Sequence, residues 1–108
     1  MVALLGWGGP LQAAEVLQVR TASLLQLGDG NRSYTVQLAC FELTPEQTAP
    51  ATTWLRQQLP RRTRVNLRPV GQADGTLLAQ VERLDRGTDL AGDLVQAGFG
   101  RTIEPCRS

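Results

Sequence analysis

The sequence lacks histidine and lysine altogether, and it holds only two cysteines, two tryptophans, two phenylalanines and one tyrosine. Without histidine, the chain has neither the usual general base near neutral pH nor the commonest metal ligand. Two cysteines without histidine also exclude a structural zinc site, which needs four such ligands. Any acid–base chemistry would therefore fall to aspartate, glutamate, tyrosine or cysteine.

Strong charge of one sign is also missing. The net charge is +1, and all eleven basic residues are arginine. Nucleic-acid binding depends mainly on phosphate neutralisation, so the whole chain has no general electrostatic attraction to nucleic acid. Its 108 residues suffice for one domain with a modest core, and the 42% of hydrophobic residues argues against disorder.

The first charged residue is Glu15, and the segment 1–14 before it is apolar. This segment is shorter than the roughly 20 residues that a membrane-spanning helix needs. It resembles the apolar part of a secretory signal peptide that ends at Ala13 and Ala14, although no basic leader precedes it. We assign 1–14 as an apolar leader, either a signal-peptide remnant or a loosely docked tail, and 15–108 as one domain.

A leader of this kind predicts export to a periplasm, a lumen or the medium, with a cytoplasmic location as the alternative. In an exported chain, Cys40 and Cys106 are expected to form a disulfide that ties the C-terminal tail to the third strand. In a reducing cytosol, Cys40 would instead be a small core residue.

Alternation of apolar and polar residues predicts most of the strands. The predicted strands are 16–27 (two short strands or one bent strand), 34–41, 63–68 and 77–84. The segment 28–31 reads Gly-Asp-Gly-Asn and predicts a turn that makes the strands on either side antiparallel.

Two helices are predicted between and after these strands. Pro50 suits the first position of a helix that ends at Pro60. Asp89 is expected to cap a second helix, and Gly98 to end it. The segment 69–75 is predicted to be a turn-rich connection. The order strand, strand, strand, helix, strand, strand, helix predicts a mainly β protein, a five-stranded OB-fold barrel with two flanking helices.

Three segments narrow this prediction. Residues 37–46 (QLACFELTPE) run from a strand into a Thr-Pro-Glu turn, residues 74–81 (DGTLLAQV) form a turn and a strand, and residues 89–100 (DLAGDLVQAGFG) form a helix end. Their order and separations resemble those of the staphylococcal-nuclease-like family, over Val16 to Thr102. The resemblance implies the same OB barrel.

The resemblance also implies a set of positions for nuclease chemistry. Family nucleases hold one Ca²⁺ with two aspartates, activate water with a glutamate and bind the phosphate with two arginines. The family segment that contains the first of these aspartates corresponds here to 21–24 (TASL), which has no carboxylate. The arginines correspond to Gln37 and Thr76. The second aspartate corresponds to Glu42, or to Leu43 under the other placement of an extra residue, and Glu46 matches the general base.

These losses predict a catalytically inactive binding or interaction module that needs no cofactor. The alternative is a weak Ca²⁺-dependent nuclease or phosphodiesterase that uses Glu42 and Glu46. Glu46 is otherwise explained as a carboxylate that stabilises the start of a helix.

A group of arginines near the end of the first helix is the candidate binding surface: Arg61, Arg62, Arg64 and Arg68. Arg64 and Arg68 are expected to share the strand face opposite Val65. The group suits an acidic protein partner, with single-stranded nucleic acid as the second candidate because aromatic stacking platforms are scarce. A solvated basic face without a ligand remains the simplest alternative.

Overall fold

The computed structural model describes residues 12–103. Its elements in chain order are β1 (Gln12–Thr21), β2 (Leu24–Asp29), β3 (Arg32–Leu38), β4 (Phe41–Glu42), α1 (Pro45–Gln58), β5 (Arg64–Ala73), β6 (Thr76–Arg83), β7 (Thr88–Asp89), α2 (Leu90–Gln96) and β8 (Arg101–Thr102).

The long strands close into a barrel. β1 pairs antiparallel with β2 on one side and with β5 on the other. β2 also pairs antiparallel with β3, and β5 pairs antiparallel with β6. Parallel pairing of β3 with β6 then closes the barrel, with Val36 opposite Leu77 and Leu38 opposite Ala79. The protein is therefore mainly β, a closed five-stranded barrel with two helices. This confirms the predicted fold class, and the strand order is compatible with an OB-fold.

The core lies inside the barrel and beneath the two helices that pack on it. Alternating strand residues point inward, as the sequence pattern predicted, and the two helices add leucines. Its largest fully buried side chains are Leu25, Leu27, Leu55, Leu67, Leu90, Leu94, Val16, Val36, Val65 and Val81. Trp54 packs against this core while partly exposed, and its ring centroid lies 6.0 Å from that of Phe99.

Helix α1 begins at Pro45, so the prediction that it begins at Pro50 was wrong. Both prolines suit a first helical position, but Thr44 already has the extended backbone of an N-cap, with φ −79° and ψ 158°. The Gln47 amide then donates to the Thr44 carbonyl at 3.0 Å. Pro50 lies within the helix and is exposed, so its ring faces solvent and the helix continues past it.

Strand β5 runs to Ala73, so the predicted turn-rich connection over 69–75 is mostly strand. An irregular step in the pairing lies between Pro69 and Gly71, and a bulge of this kind accommodates proline, which has no amide hydrogen for the ladder. The turn itself is confined to Asp74 and Gly75, which have φ of 53° and 79°.

The start of β1 lies inside the segment assigned to the leader. Ala13 pairs with Asn66 and Ala14 with Val65, and Ala14 is buried. Residues 12–14 therefore belong to strand β1 of the barrel. The rest of the predicted leader lies outside the described residues, and export stays a prediction.

The last described residues fold back onto the segment after β3. β8 pairs with β4, and the Ile103 amide donates to the Cys40 carbonyl at 2.9 Å. Cys40 has a positive φ of 58° and is disulfide-bonded. Cys106 lies outside the described residues, so the pairing of Cys40 with Cys106 stays a prediction.

The start and the end of α2 both follow the sequence prediction. The Asp89 carboxylate accepts a hydrogen bond from the Gly92 amide at 3.1 Å, and Gly98 has a φ of +96°. Burial raises the pKa of Asp89 above its ordinary value. The Gly92 amide opposes this rise, whereas Asp93 and Glu82 add to it.

Candidate functional site

The positions that the family resemblance assigns to phosphate binding lie on an outward face of the barrel. Gln37 is exposed on β3, with Leu24 beside it on β2 and Leu78 beside it on β6. Thr76, which stands for the second arginine, begins β6 and is partly buried. This face, defined by Leu24, Gln37, Thr76 and Leu78, is the uncharged face. None of these four side chains supplies the bidentate guanidinium contacts that match a phosphoryl group.

Glu42 is engaged by the C-terminal segment. Its Oε1 accepts from Arg101 Nε at 2.8 Å and lies 2.6 Å from Arg101 Nη2. Both side chains are substantially exposed, at 48% for Glu42 and 75% for Arg101, so the pair contributes little to stability. Its effect is local, because it neutralises the carboxylate that the nuclease alternative requires.

Glu46 is an exposed residue of the first turn of α1. A carboxylate in this turn interacts favourably with the positive end of the helix dipole. In residues 12–103, no three side chains of aspartate, glutamate, histidine or cysteine come together as metal ligands. Because Ca²⁺ takes six to eight oxygen ligands, Glu42 and Glu46 do not fit a calcium centre.

Gln47, on α1, holds the C-terminal segment beside the start of this helix. Its Nε2 donates to the Gly98 carbonyl at 3.2 Å, and its Oε1 accepts from the Gly100 amide at 3.1 Å. A hollow of about 480 Å³ lies between this segment and the β4–α1 connection. Its charged lining residues are Glu42 and Arg101, which already neutralise each other.

A larger groove lies where β1, the β2–β3 hairpin and the α1–β5 loop meet. We call it the arginine groove. Its volume is about 540 Å³, and its lining residues are Ala13, Ala14, Glu15, Leu17, Gly28, Asp29, Gly30, Asn31, Arg32, Ser33, Arg62 and Arg64. Strand pairing explains this convergence, because Glu15 is opposite Gly28 on one side and opposite Arg64 on the other.

The loop that carries Arg62 is fixed by backbone hydrogen bonds. The Arg62 amide donates to the Val16 carbonyl at 2.6 Å, and the Val16 amide donates to the Thr63 carbonyl at 2.9 Å. The Thr63 amide and hydroxyl both donate to the Pro60 carbonyl, at 3.1 and 2.6 Å. Arg62 itself has a φ of 77°, which is uncommon for a residue other than glycine.

The guanidinium groups of the groove are largely uncommitted. Arg62 Nη1 lies 3.9 Å from Glu15 Oε1, with exposed fractions of 73% and 42%, so solvent screens this contact strongly. No carboxylate among residues 12–103 lies within 4.0 Å of the guanidinium groups of Arg32 or Arg64. The groove therefore presents three positive side chains against the two carboxylates of Glu15 and Asp29.

Two of the four predicted arginines line the groove, and the other two lie outside it. Arg62 and Arg64 line the groove, whereas Arg61 is exposed in the loop beside it and does not line it. Arg68 lies four residues beyond Arg64 on the exposed side of β5, roughly 13 Å away at the usual rise per strand residue. Arg64 and Arg68 do share a face opposite the buried Val65, as predicted.

Sequence reasoning missed Arg32. It follows the Gly-Asn turn at the start of β3 and is separated from Arg62 along the chain by the rest of β3, by β4 and by α1. Only the pairing of β1 with both β2 and β5 brings the hairpin and the loop together. The one available signal was the hairpin turn itself, which fixes where β3 begins.

Comparison with protein-family models gives no match, and comparison with curated proteins gives none either. The likeness to staphylococcal-nuclease-like proteins therefore stays a prediction that is consistent with the barrel. Neither α1 nor α2 has the length and apolar character that would let it cross a membrane.

Proposed function

We propose that this chain is a catalytically inactive, staphylococcal-nuclease-like binding module whose partner is a protein with an acidic surface. The observation that carries the proposal is the distribution of charge over the barrel. The uncharged face occupies the positions where a nuclease of this family would bind phosphate, whereas Arg32, Arg62 and Arg64, whose guanidinium groups are largely uncommitted, line the arginine groove.

The loss of catalysis follows from the number of missing contributions. A preorganised electrostatic contact of this kind typically supports on the order of 10²-fold or more in rate. Gln37 and Thr76 replace both arginines, and Glu42 is neutralised by Arg101. Glu46 alone offers neither a set of metal ligands nor a cation that would stabilise the developing charge.

An acidic protein explains the groove better than a nucleic acid does. The lining residues include no aromatic side chain on which a base would stack. Glu15 and Asp29 would repel a continuous phosphate backbone, whereas a protein surface can place its carboxylates beside the arginines only. Single-stranded nucleic acid remains the second candidate, because Arg61 and Arg68 extend the positive surface beyond the groove.

A cleavage assay tests the inactive character. Purified protein is incubated with single-stranded DNA and RNA, with Ca²⁺ and with a chelator, and we expect no metal-dependent cleavage. The matched variants are Glu46→Ala and Glu82→Ala, since Glu82 is a carboxylate on β6, away from Glu46. Cleavage that needs Ca²⁺ and disappears only in Glu46→Ala would establish the nuclease alternative.

A binding assay separates the two partner classes. Fluorescein-labelled polyglutamate and oligo-dT of equal charge are titrated with protein, and we expect polyglutamate to bind more tightly. Arg64→Ala should weaken polyglutamate binding. Tighter binding of oligo-dT, with a steep salt dependence that Arg64→Ala and Arg68→Ala both reduce, would identify nucleic acid as the ligand instead.

A further inference from the structure

We infer that the arginine groove is a docking site for an extended acidic segment of a partner protein, whose carboxylates meet Arg62, Arg64 and Arg32. This inference rests on the proposed function and makes it specific. It assigns binding to one groove at one end of the barrel and commits to a peptide as the occupant.

The shape of the groove suits an extended chain. Its sides come from separate elements, the β2–β3 hairpin with Arg32 on one side and the α1–β5 loop with Arg62 on the other. β1 forms the floor between them, since Glu15 is the register partner of both Gly28 and Arg64. A segment lying along this floor would meet arginines on both sides.

The floor also offers apolar contact. Leu17 lies over Gly28, and a Cβ at Gly28 would approach the Leu17 side chain to within 3.1–3.3 Å. The absence of a side chain at Gly28 therefore lets Leu17 cover the strand and line the groove. An apolar residue between the acidic residues of a ligand would contact Leu17.

The cationic side of the groove is preorganised. Two hydrogen bonds join residues 62 and 63 to Val16 of β1, and two more join Thr63 to Pro60, and Arg62 keeps a left-handed backbone conformation in this loop. A non-glycine residue in this region is strained by about 1–3 kcal/mol, and such residues cluster at ligand-binding sites. A fixed loop loses little conformational entropy when a ligand binds, which favours binding by short peptides.

Glu15 acts as a competitor for the ligand. Its carboxylate is the nearest one to Arg62, but the 3.9 Å contact is long and exposed. A carboxylate from the ligand has to approach Arg62 and Arg64 against the charge of Glu15. Removal of this charge should therefore strengthen binding of an acidic peptide, whereas a nonspecific apolar ligand would be indifferent to it.

The test uses the full chain, labelled with ¹⁵N, and three probes of eight units each. The first is a peptide of four glutamates and two leucines between terminal glycines, the second has glutamine in place of each glutamate, and the third is oligo-dT. We expect the acidic peptide to shift the backbone amides of 28–33 and 61–64, and the glutamine peptide to shift none of them.

Variants make the assignment to the groove quantitative. Arg62→Gln and Arg64→Gln should each weaken the acidic peptide about fivefold, and Glu15→Gln should tighten it about threefold at low salt. Arg20→Gln is the matched control, because Arg20 lies outside the groove and its guanidinium donates to the Gln26 side chain at 2.8 and 3.0 Å. Its affinity should equal that of the unaltered protein, and amide spectra verify that each variant is folded.

Four results would overturn the inference, three of them from the binding measurements. These are equal binding of the glutamine peptide, equal weakening by Arg20→Gln and Arg62→Gln, and a preference for oligo-dT. Amide shifts on the uncharged face in place of the groove would also overturn it while leaving an inactive binding module intact. Failure of the proposed function has a different signature, namely Ca²⁺-dependent cleavage that requires Glu46.

Discussion

Gly100 lies where the C-terminal segment passes closest to β4, and it offers the sharpest test of how that segment is held. A Cβ at Gly100 would lie 2.6 Å from the Glu42 carbonyl oxygen and 2.7 Å from Phe41 Cζ. The residue also has a φ of +71°. Gly100→Ala therefore introduces two unfavourable effects, a strained backbone and a steric overlap with backbone and a buried ring.

The two effects can be estimated separately. Placing alanine in the left-handed region costs about 1–2 kcal/mol. Overpacking against a core side chain costs about 1–3 kcal/mol more. Gly98 provides the control, because its φ is +96° but a Cβ there would meet no atom within 4 Å. We expect Gly100→Ala to lower the free energy of unfolding by about 3 kcal/mol, and Gly98→Ala by about half as much.

Urea unfolding followed by tryptophan fluorescence measures both values, because Trp54 lies against Phe99 at the start of this segment. Thermal unfolding should show the same order, at about 4–8 °C per kcal/mol for a domain of this size. If Gly100→Ala and Gly98→Ala lowered the free energy of unfolding equally, the overlap with Phe41 and Glu42 would not contribute to the cost. The close approach of the C-terminal segment would then not be a constraint on the fold.

Three further predictions concern single contacts. Thr52→Val should cost about 1–3 kcal/mol in urea unfolding, because the Thr52 hydroxyl accepts the Ala22 amide at 2.9 Å in a buried site; a loss below about 0.5 kcal/mol would contradict this. Asp89→Ala should cost about 1 kcal/mol by removing the cap of α2, and Asp89→Asn should recover most of it in the same assay. The hydrogen bonds from Arg83 hold the pKa of Asp85 below its ordinary value of 3.8, so their stabilisation is present above that pH and is lost as the pH falls through the lowered pKa. Asp85→Asn should flatten this acid-side slope, measured by unfolding at a series of pH values, and an unchanged slope would rule out the pair as its source.

Local patterns predicted the barrel because the strands that form it alternate cleanly. Val36 and Leu38 point inward while Gln37 points outward, and Val65 and Leu67 do the same between Arg64 and Arg68. The period of two survives in the structure because one face of each strand is buried in the core. The cap at Asp89 was predictable for a similar reason, since capping depends on residues within one turn.

The errors arose where two local signals competed. Pro45 and Pro50 both suit a helix start, and the extended Thr44 decides in favour of Pro45. Pro69 suggested that β5 had ended, but the irregular pairing before Gly71 lets the strand continue. In each case the outcome depends on backbone geometry that neighbouring residues set together, which a scan of residue types does not supply.

The arginine groove was only half predictable, for a topological reason. Arg62 and Arg64 are neighbours in sequence, so their proximity could be anticipated. Arg32 and Glu15 join them only because β1 pairs on both sides, which joins segments far apart in the chain. These four residues therefore come from three strands and the α1–β5 loop.

The contrast between the uncharged face and the groove shows that outward residues set the charge of each part of the barrel surface. Gln37 and Leu78 point outward, so a substitution at either position changes the chemistry of this face without altering the core beneath it. Thr44 acts instead through its backbone carbonyl and Asp89 through its carboxylate, one at each helix start, and both help to specify the architecture. A sequence motif made of such turn and cap residues therefore indicates which fold the chain adopts. It carries no information on whether that fold binds phosphate. For that question the decisive residues are the outward ones, and in this protein Arg32, Arg62 and Arg64 are the outward arginines that line the arginine groove.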